Sequence, residues 1–165
     1  MTIPLRLRLR PSEPGDHALL LRVFASTRGP ELAALAADPA GADAFIAQQF
    51  QAQDRSWRAA ATRPAFDLVL AVDEPIGRLV VDRRDDEIRL VDISLLPDHR
   101  GRGIGTRLIT DLIAEAEAAG LPLVLHVFFA NPARGLYERL GFTVAGDDQV
   151  HLRMVRTPGQ AKTAS

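Results

Sequence analysis

The sequence predicts a mixed α/β (α+β) domain with a central, mostly antiparallel sheet of six to seven strands and about four helices. Strand and helix patterns follow one another in the order β, helices, β-β-β, helix, β, helix, β-β. The length of 165 residues is usual for one domain, and the hydrophobic fraction of 47% supplies a sizeable core. We therefore expect a single domain over residues 1–156 and a polar, disordered tail over residues 157–165.

Alternating and apolar stretches define the strands. Residues 3–9 alternate leucine or isoleucine with arginine, which is typical of a strand with one solvated face. An RNA-binding arm is the alternative interpretation of these arginines. Further strands are predicted as an antiparallel meander at 66–72, 78–83 and 88–96, as a buried strand within 121–129, and as a final pair at 141–146 and 149–156.

Helical spacing and capping residues define the helices. Asp16 can cap a helix that runs to about residue 27, and residues 31–61 are rich enough in Ala, Gln and Leu for one or two helices. A third helix follows a glycine-rich loop and ends at Gly120. In "NPARGLYERLGF", Asn131 is the predicted N-cap of a fourth helix and Gly141 its stop.

Composition excludes several classes of function. The net charge of -1 gives no bulk attraction to nucleic acid or anionic membranes. The absence of cysteine excludes disulfides, thiolate metal sites and a cysteine nucleophile. His126 and His151 belong to no cluster with metal-ligand spacing, so we interpret both as structural and expect no metal. No apolar run approaches the roughly 18 residues of a membrane span, and the N-terminus does not resemble a signal peptide. A cytoplasmic protein without nucleic-acid or membrane partners is expected.

The stretch "LLPDHRGRGIGTRL", residues 95–108, places glycines and arginines between an apolar strand and a helix. Backbone N–H groups and the positive end of the helix dipole bind phosphate in such loops. Glycines permit unusual φ angles and close approach of the ligand, and Arg100 and Arg102 can add charge-assisted hydrogen bonds. The pattern therefore predicts a site for a pyrophosphate or a similar polyanion.

Two common phosphate-binding loops do not fit this stretch. A Walker loop needs a lysine before its Ser or Thr, whereas Gly105 is followed directly by Thr106. A dinucleotide-binding loop needs a third glycine three residues after the second, but Thr106 stands three residues after Gly103. Another kind of nucleotide-binding domain and a glycine-rich connector without a ligand remain as weaker alternatives.

The loop resembles motif A of the GNAT acetyltransferase superfamily, Arg/Gln-x-x-Gly-x-Gly/Ala, with Arg100, Gly103 and Gly105 in register. "DISLLPDHRGRGIGTRLI" looks like that family's fourth strand, loop and third helix, and "NPARGLYERLGF" looks like its following helix. The resemblance covers roughly residues 5–155 in element order and is specific from about residue 88 to 145. It implies a GNAT-like fold with a splayed parallel pair between strands 4 and 5.

The resemblance implies an acetyl-CoA-dependent N-acetyltransferase. The acetyl group would pass directly to a primary amine in a ternary complex, with acetyl-CoA as co-substrate and without a metal. The acceptor would be a small-molecule or peptide amine, and the protein a monomer or homodimer. The alternative is a non-catalytic module of this fold that binds or senses acyl-CoA.

The resemblance also implies which residues contact the cofactor. The backbone amides of the loop would hold the CoA pyrophosphate, and two leucines would offer backbone groups to the pantetheine arm. Residues of the following helix would lie near the CoA arm and the thioester sulfur. The implied set is Leu95, Leu96, Arg100, Gly101, Arg102, Gly103, Ile104, Gly105, Thr106, Asn131, Arg134 and Tyr137.

Catalysis would need a proton donor for the departing thiolate and a way to remove a proton from the amine. Tyr137, the chain's one tyrosine, is the candidate general acid, since a phenol with an ordinary pKa near 10 is protonated at neutral pH. Helix packing is the alternative role. Arg89 or Val91 stands where the family often has a basic carboxylate, so Glu87, Asp92 or a water chain is the candidate base.

The acceptor site is expected in the helical region 28–60 and the last strand pair. The acidic turn residues Asp147 and Asp148 can attract a cationic amine, although a solvated turn is the simpler interpretation. The candidate lining residues, which core packing would equally explain, are Arg28, Glu31, Phe45, Phe50 and Trp57.

Overall fold

The computed structural model describes residues 5–29 and 38–160. These ranges contain seven strands, four α-helices and two short 3-10 helices, Pro14–Asp16 and Pro97–His99. No helix in them is both long and apolar enough to cross a membrane. The strands are β1 Leu7–Pro11, β2 Pro64–Ala71, β3 Glu74–Arg83, β4 Ile88–Leu95, β5 Leu123–Phe128, β6 Thr143–Asp147 and β7 His151–Arg156. The helices are α1 His17–Ala25, α2 Pro39–Ala60, α3 Ile104–Ala119 and α4 Arg134–Arg139.

The strands form one sheet in the order β1-β2-β3-β4-β5-β7-β6. Strands β4 and β5 pair in parallel, whereas β1 with β2, β5 with β7, and β6 with β7 pair antiparallel. The parallel register joins residues 88–90 to residues 123–125, and β4 continues beyond it to Leu95. The predicted mixed α/β class, with a mostly antiparallel sheet and a parallel pair of strands 4 and 5, is confirmed.

The chain forms two compact units, one of residues 1–80 and 92–100 and the other of residues 81–91 and 101–165. In the first unit, Phe24 of α1 packs with Ile46 and Phe50 of α2. The rings of Phe24 and Phe50 meet edge to face, with centroids 5.6 Å apart. The predicted single domain over 1–156 stays a prediction.

In the second unit, α3 buries one apolar stripe and contacts β5. The buried residues recur at helical spacing, which places them on one helix face. Gly120 ends α3 with a left-handed φ of 66°, and the Leu121 N–H closes the end by donating to the Ala116 carbonyl at 3.0 Å. The predicted stop at Gly120 is confirmed. The stripe is Ile104, Leu108, Ile109, Leu112, Ile113 and Ala116.

The predicted side-chain cap of α1 does not form, because the Asp16 carboxylate binds other partners. Asp16 precedes α1 but makes no side-chain cap; its carboxylate accepts both terminal N–H groups of Arg10 at 2.8 Å and the Glu13 N–H at 2.7 Å. The Arg10 hydrogen bond lowers the pKa of Asp16 to about 2. This ion pair therefore stabilises the fold above about pH 4 and loses its effect as the pH falls toward 2.

The predicted start of the fourth helix is wrong. Helix α4 begins at Arg134, and the Asn131 side chain accepts the Ala133 N–H at 2.9 Å. Asn131 thus closes a local turn before the helix, a role in which asparagine competes with helix formation.

The alternating segment at the start of the chain does not bury its apolar side chains as the pattern predicts. Leu5 and Leu9 are 40% and 44% exposed, so the apolar side of the first alternating segment is not buried. Strand β1 lies at the sheet edge, where less structure covers it.

Residues 157–160, at the start of the predicted disordered tail, form a hydrogen-bonded turn, in which the Gly159 N–H donates to Glu117 at 2.8 Å. Residues 3 and 4 of the predicted first strand and residues 161–165 lie outside the described ranges, as do 31–37 of the predicted second helical region.

Gly77→Ala should destabilise the protein by about 2 kcal/mol, because overpacking a filled interior typically costs 1–3 kcal/mol. A Cβ at Gly77 would overlap the Ser94 carbonyl oxygen and lie 2.7 Å from Leu95 Cδ2. Gly15→Ala is the matched control, since a Cβ there meets no atom within 4 Å. Urea unfolding measures both variants, and equal stability of the two would contradict the close approach.

Candidate active site

The glycine-rich loop connects β4 to α3 through backbone that only glycine adopts easily. Gly101 and Gly103 have φ angles of 69° and 77°. A Cβ at either position would meet no atom within 4 Å, so the left-handed backbone, rather than crowding, requires glycine. Gly105 lies inside the first turn of α3 and does not have a positive φ.

The start of α3 presents backbone donors. The first intrahelical hydrogen bond runs from the Arg107 N–H to the Gly103 carbonyl at 3.0 Å. The N–H groups of Ile104, Gly105 and Thr106 precede it and therefore have no acceptor within the helix. They lie at the positive end of a 16-residue helix dipole. The loop therefore offers a set of donors suited to an anion.

Arg100 holds the beginning of the loop. Its Nε–H donates to the Leu95 carbonyl at 2.8 Å, and its terminal N–H donates to Ser26 Oγ at 2.8 Å. The side chain thus ties the loop to the end of β4 and to the C-cap of α1. Arg102, in contrast, is exposed on the loop.

The Leu95 carbonyl and both backbone groups of Leu96 already have hydrogen-bond partners. The Leu96 N–H donates to the Ile76 carbonyl at 2.8 Å, and the Leu96 carbonyl accepts the His99 N–H at 3.0 Å. Each carbonyl oxygen can still accept a second hydrogen bond. These bonds fix the chain where it leaves β4.

Tyr137 is buried in α4, with its ring edge-on to Phe142 at a centroid distance of 5.8 Å. Asn131 lies in the turn before this helix, and Arg134 stands three residues before Tyr137, about one helical turn away. Arg134 donates to Glu138 at 2.8 Å on the exposed side of the helix. The turn and helix therefore bring together the three residues that sequence reasoning assigned to them.

Glu87 contacts two arginines of its own unit, Arg89 and Arg153. Its Oε1 accepts two N–H groups of Arg89, at 3.0 and 2.6 Å, and its Oε2 lies 3.5 Å from a terminal nitrogen of Arg153. The carboxylate is buried. This arrangement gives Glu87 a direct role in holding two guanidinium groups.

Asp92 belongs to the other unit and contacts Arg78, which is 4% exposed. Its Oδ2 accepts the Arg78 Nε–H at 3.0 Å, and Ser94 Oγ lies 3.1 and 3.0 Å from its two oxygens. Burial raises the pKa of Asp92, while Arg78 acts in the opposite direction. The Arg78 guanidinium lies 4.9 Å from the Trp57 ring centroid, and it also donates to Gln53 at 3.3 Å.

The predicted acceptor residues have packing roles in the described part of the chain. Phe50 belongs to the core of the first unit and Phe45 packs against it, while Arg28 lies 4.7 Å from the Phe24 ring centroid. Trp57 contacts Arg78, and Glu31 lies outside the described residues.

The carboxylates of the acidic turn accept hydrogen bonds from backbone N–H groups of the same turn. Asp148 accepts the N–H groups of Val150 and His151 at 3.0 and 2.6 Å, and Asp147 accepts that of Gln149 at 3.1 Å. The hydrogen bond from the His151 backbone, together with the one from Val150, lowers the pKa of Asp148. The simpler interpretation, a turn that stabilises itself, accounts for these contacts.

The sequence did not indicate the ion pair of Arg78 with Asp92 or the position of His126 opposite Arg153. Arg78 lies in an apolar strand, and no local pattern indicates its pairing with Asp92 fourteen residues away. His126 is exposed on β5, directly opposite Arg153 of β7. Partial burial lowers the pKa of His126, and the charges of Arg89, Arg153 and His151 lower it further, against the opposing charge of Asp148.

Comparison with known proteins identifies the class. The acetyltransferase (GNAT) family matches residues 31–142, more than half of the chain. The chain therefore belongs to the GNAT family, and the resemblance of its loop and fourth helix is confirmed.

The chain is also similar to particular proteins of known name or structure. The chain is similar to the ribosomal protein bS18-alanine N-acetyltransferase of Haemophilus influenzae, with 41% identity over 68 residues that cover 41% of this chain and 47% of that protein. The match thus spans about half of that relative's length. An acetyltransferase structure from Thermus thermophilus is 26% identical with a TM-score of 0.64, covering 93% of this chain and 97% of that one. The PaiA N-acetyltransferase of Thermoplasma acidophilum, solved in complex with coenzyme A, shares the fold at 17% identity and a TM-score of 0.68, covering 93% and 99% of the two chains.

Asp92→Ala should cost about 3 kcal/mol of unfolding free energy, because it leaves the buried Arg78 charge without its carboxylate. Adding Arg78→Met should recover part of this loss. Asp54→Ala is the control, since it removes an exposed ion pair with Arg58 on α2 and should cost about 0.5 kcal/mol or less. A double-mutant cycle by urea unfolding measures the coupling, and a loss at Asp92 no larger than at Asp54 would contradict it.

Proposed function

We propose that the chain is an acetyl-CoA-dependent N-acetyltransferase that transfers the acetyl group directly to a primary amine in a ternary complex. The observation that carries this proposal is the donor-rich loop at residues 101–106 in a member of the GNAT family. The absence of cysteine favours direct transfer over a thioester on the enzyme.

The loop has the chemistry that a CoA pyrophosphate needs. Phosphate oxygens accept hydrogen bonds, and the first turn of α3 offers backbone N–H groups beside a positive helix end. Left-handed Gly101 and Gly103 keep side chains off the backbone, and exposed Arg102 adds a positive charge. Arg100 fixes the start of the loop through its hydrogen bonds to the Leu95 carbonyl and to Ser26. The groups that would contact the rest of CoA are the Leu95 and Leu96 backbone and the Asn131 and Arg134 side chains.

Tyr137 would act as the general acid. The amine nitrogen forms a bond to the thioester carbonyl carbon, the carbon–sulfur bond breaks, and the amine loses a proton. Tyr137 donates its phenolic proton to the departing sulfur and takes one back from solvent. Its place on α4, in the same unit as the loop from Gly101 onward, supports this role.

The proton that leaves the amine has two proposed routes. Glu87 is bound by Arg89 and Arg153, which favours a role in positioning them. Asp92 is the other candidate carboxylate: Arg78 and Ser94 bind it, and burial raises its pKa. Water is the other route.

The acceptor is proposed as a primary amine on a small molecule or a peptide. The Haemophilus relative is named for an alanine of a ribosomal protein, which makes a peptide amine a candidate. Each candidate acceptor can be screened by release of the CoA thiol.

Acetyl-CoA and CoA should raise the melting temperature in a concentration-dependent manner, because a ligand of the folded state stabilises it by about 2.7 kcal/mol at a hundred times its Kd. Arg102→Glu should weaken CoA binding about tenfold, or about 1.4 kcal/mol. Arg55→Glu, the same charge change at an exposed position of α2, should leave it unchanged. Stabilisation by NAD or ATP without any by CoA would refute the assignment of the loop.

Tyr137→Phe should lower kcat about 100-fold, the lower range of general acid catalysis, while CoA binding persists. The phenyl ring keeps its edge contact with Phe142, and the phenolic O–H is removed. Thiol release gives kcat, and the thermal shift reports binding. Unchanged kcat would remove Tyr137 from the mechanism, and CoA binding without transfer to any amine would favour the non-catalytic module.

A further inference from the structure

A cluster of basic side chains lies on one face of the second unit. Arg89 of β4 and Arg153 of β7 both approach Glu87, and His126 of β5 stands directly opposite Arg153. Phe128 stands opposite His151 in the same strand pair, and their ring centroids are 4.3 Å apart. Side chains that alternate by two along paired strands share a face. We call this set the arginine face: Arg89, His126, Phe128, His151 and Arg153.

Glu87 cannot neutralise this face alone. One carboxylate stands against two guanidinium groups, and Arg89 takes its Oε1 with two hydrogen bonds. Arg153 approaches Oε2 only to 3.5 Å, and its side chain is 40% exposed. A guanidinium has five N–H donors in a planar fork, so Arg153 retains the geometry to bind a carboxylate with two parallel hydrogen bonds.

The charges around the face also act on His126. Partial burial is the main cause that lowers the pKa of His126; the charges of Arg89, Arg153 and His151 lower it further, and the charge of Asp148 raises it. Asp148 is itself bound to the backbone and ring of His151. Two guanidinium groups against the one carboxylate of Glu87 therefore give the face a positive potential in a chain with a net charge of -1. The same potential would lower the pKa of a bound amine and so favour its neutral, nucleophilic form.

The face lies on the strand that leads to the proposed acid. The parallel register of β4 and β5 ends at Leu90 and Leu125, and His126 is the next residue of β5. Two residues later β5 ends, and a turn closed by the Asn131 N–H and the Phe128 carbonyl precedes α4 and Tyr137. Three apolar side chains are exposed at this end and give an apolar surface beside the arginines. They are Phe128, Phe129 and Val150.

We propose that Arg153, supported by Arg89, binds a carboxylate of the acceptor, so that the substrate is a primary amine that carries a carboxylate close to its reactive nitrogen. This inference rests on the proposed function and names the class of its acceptor. An apolar group of the acceptor lies against Phe128 and the ring of His151.

Matched acceptor pairs test the proposal. L-phenylalanine and L-phenylalaninamide differ in the carboxylate, and so do the peptide amides Ala-Glu-Ala-Ala and Ala-Gln-Ala-Ala. The wild type should favour the carboxylate member of at least one pair about tenfold in kcat/KM, chiefly through KM. A preference in the first pair assigns an amino acid, and one in the second assigns an acidic peptide. Equal kcat/KM within both pairs would overturn the proposal while leaving the acetyltransferase assignment intact.

Variants assign the preference to the arginine face. Arg153→Gln should bring the ratio within a pair close to one, and Arg153→Lys, which keeps a charge beside Glu87, should give an intermediate ratio. Arg22→Gln, an exposed change on α1 outside the expected acceptor region, should keep the wild-type ratio. Equal losses for both members of a pair in Arg153→Gln would contradict carboxylate recognition. The CoA thermal shift should be the same in all variants, which separates this result from failure of the CoA site.

A binding measurement needs no turnover. Calorimetric titration should show tighter binding of N-acetyl-L-phenylalanine than of N-acetyl-L-phenylalaninamide, and Arg153→Gln should abolish the difference. If the peptide pair alone carries the preference, the acetylated peptide amides replace these probes. Equal affinity of the acid and its neutral counterpart for the wild-type protein would overturn the inference.

Discussion

The close approach of β3 and β4 fixes the position from which the loop departs. The Leu96 N–H donates to the Ile76 carbonyl, and the absent side chain of Gly77 leaves room for Ser94 and Leu95. Arg78, the next residue, binds Asp92 of β4 and is buried against Trp57. Because one backbone contact and one buried ion pair lie side by side, the end of β4 has little freedom. Arg100 then binds the Leu95 carbonyl, and the chain turns into Gly101 from a fixed point.

Arginines serve three different purposes in this chain, and burial decides which. Arg78 is buried with its carboxylate, where the pair is costly to break but contributes little net stability compared with apolar packing. Arg100 donates to the backbone and to Ser26, so it shapes the loop without needing a ligand. Arg153 is half-exposed and loosely paired, and this leaves its donors available. The role of an arginine therefore depends on its partners more than on its motif position.

The sequence predicts the features that backbone geometry controls. Gly103 and Gly120 mark the two ends of α3 because each adopts a left-handed conformation that local sequence encodes. The fold class and the family follow from the same local patterns. The pairing of Arg78 with Asp92 and the bond from Arg100 to Ser26 were not predictable, since they join residues 14 and 74 positions apart that periodicity does not connect. Asn131 failed for a related reason, because its side chain could close a turn as well as cap a helix.

The same contrast between local patterns and long-range contacts separates CoA binding from acceptor binding in the proposed reaction. Pyrophosphate is a constant part of every CoA, so a loop of backbone donors can bind it, and glycine spacing records that loop in the sequence. The proposed acceptor site is formed by side chains on β4, β5 and β7, whose neighbours arise only from the strand register. His126 illustrates the consequence: in the sequence it is one histidine in an apolar strand, whereas in the sheet it stands opposite Arg153, and partial burial together with the charges of Arg89 and Arg153 lowers its pKa. In this proposal the CoA site follows from a local sequence pattern, whereas the acceptor site depends on how the strands assemble into the sheet.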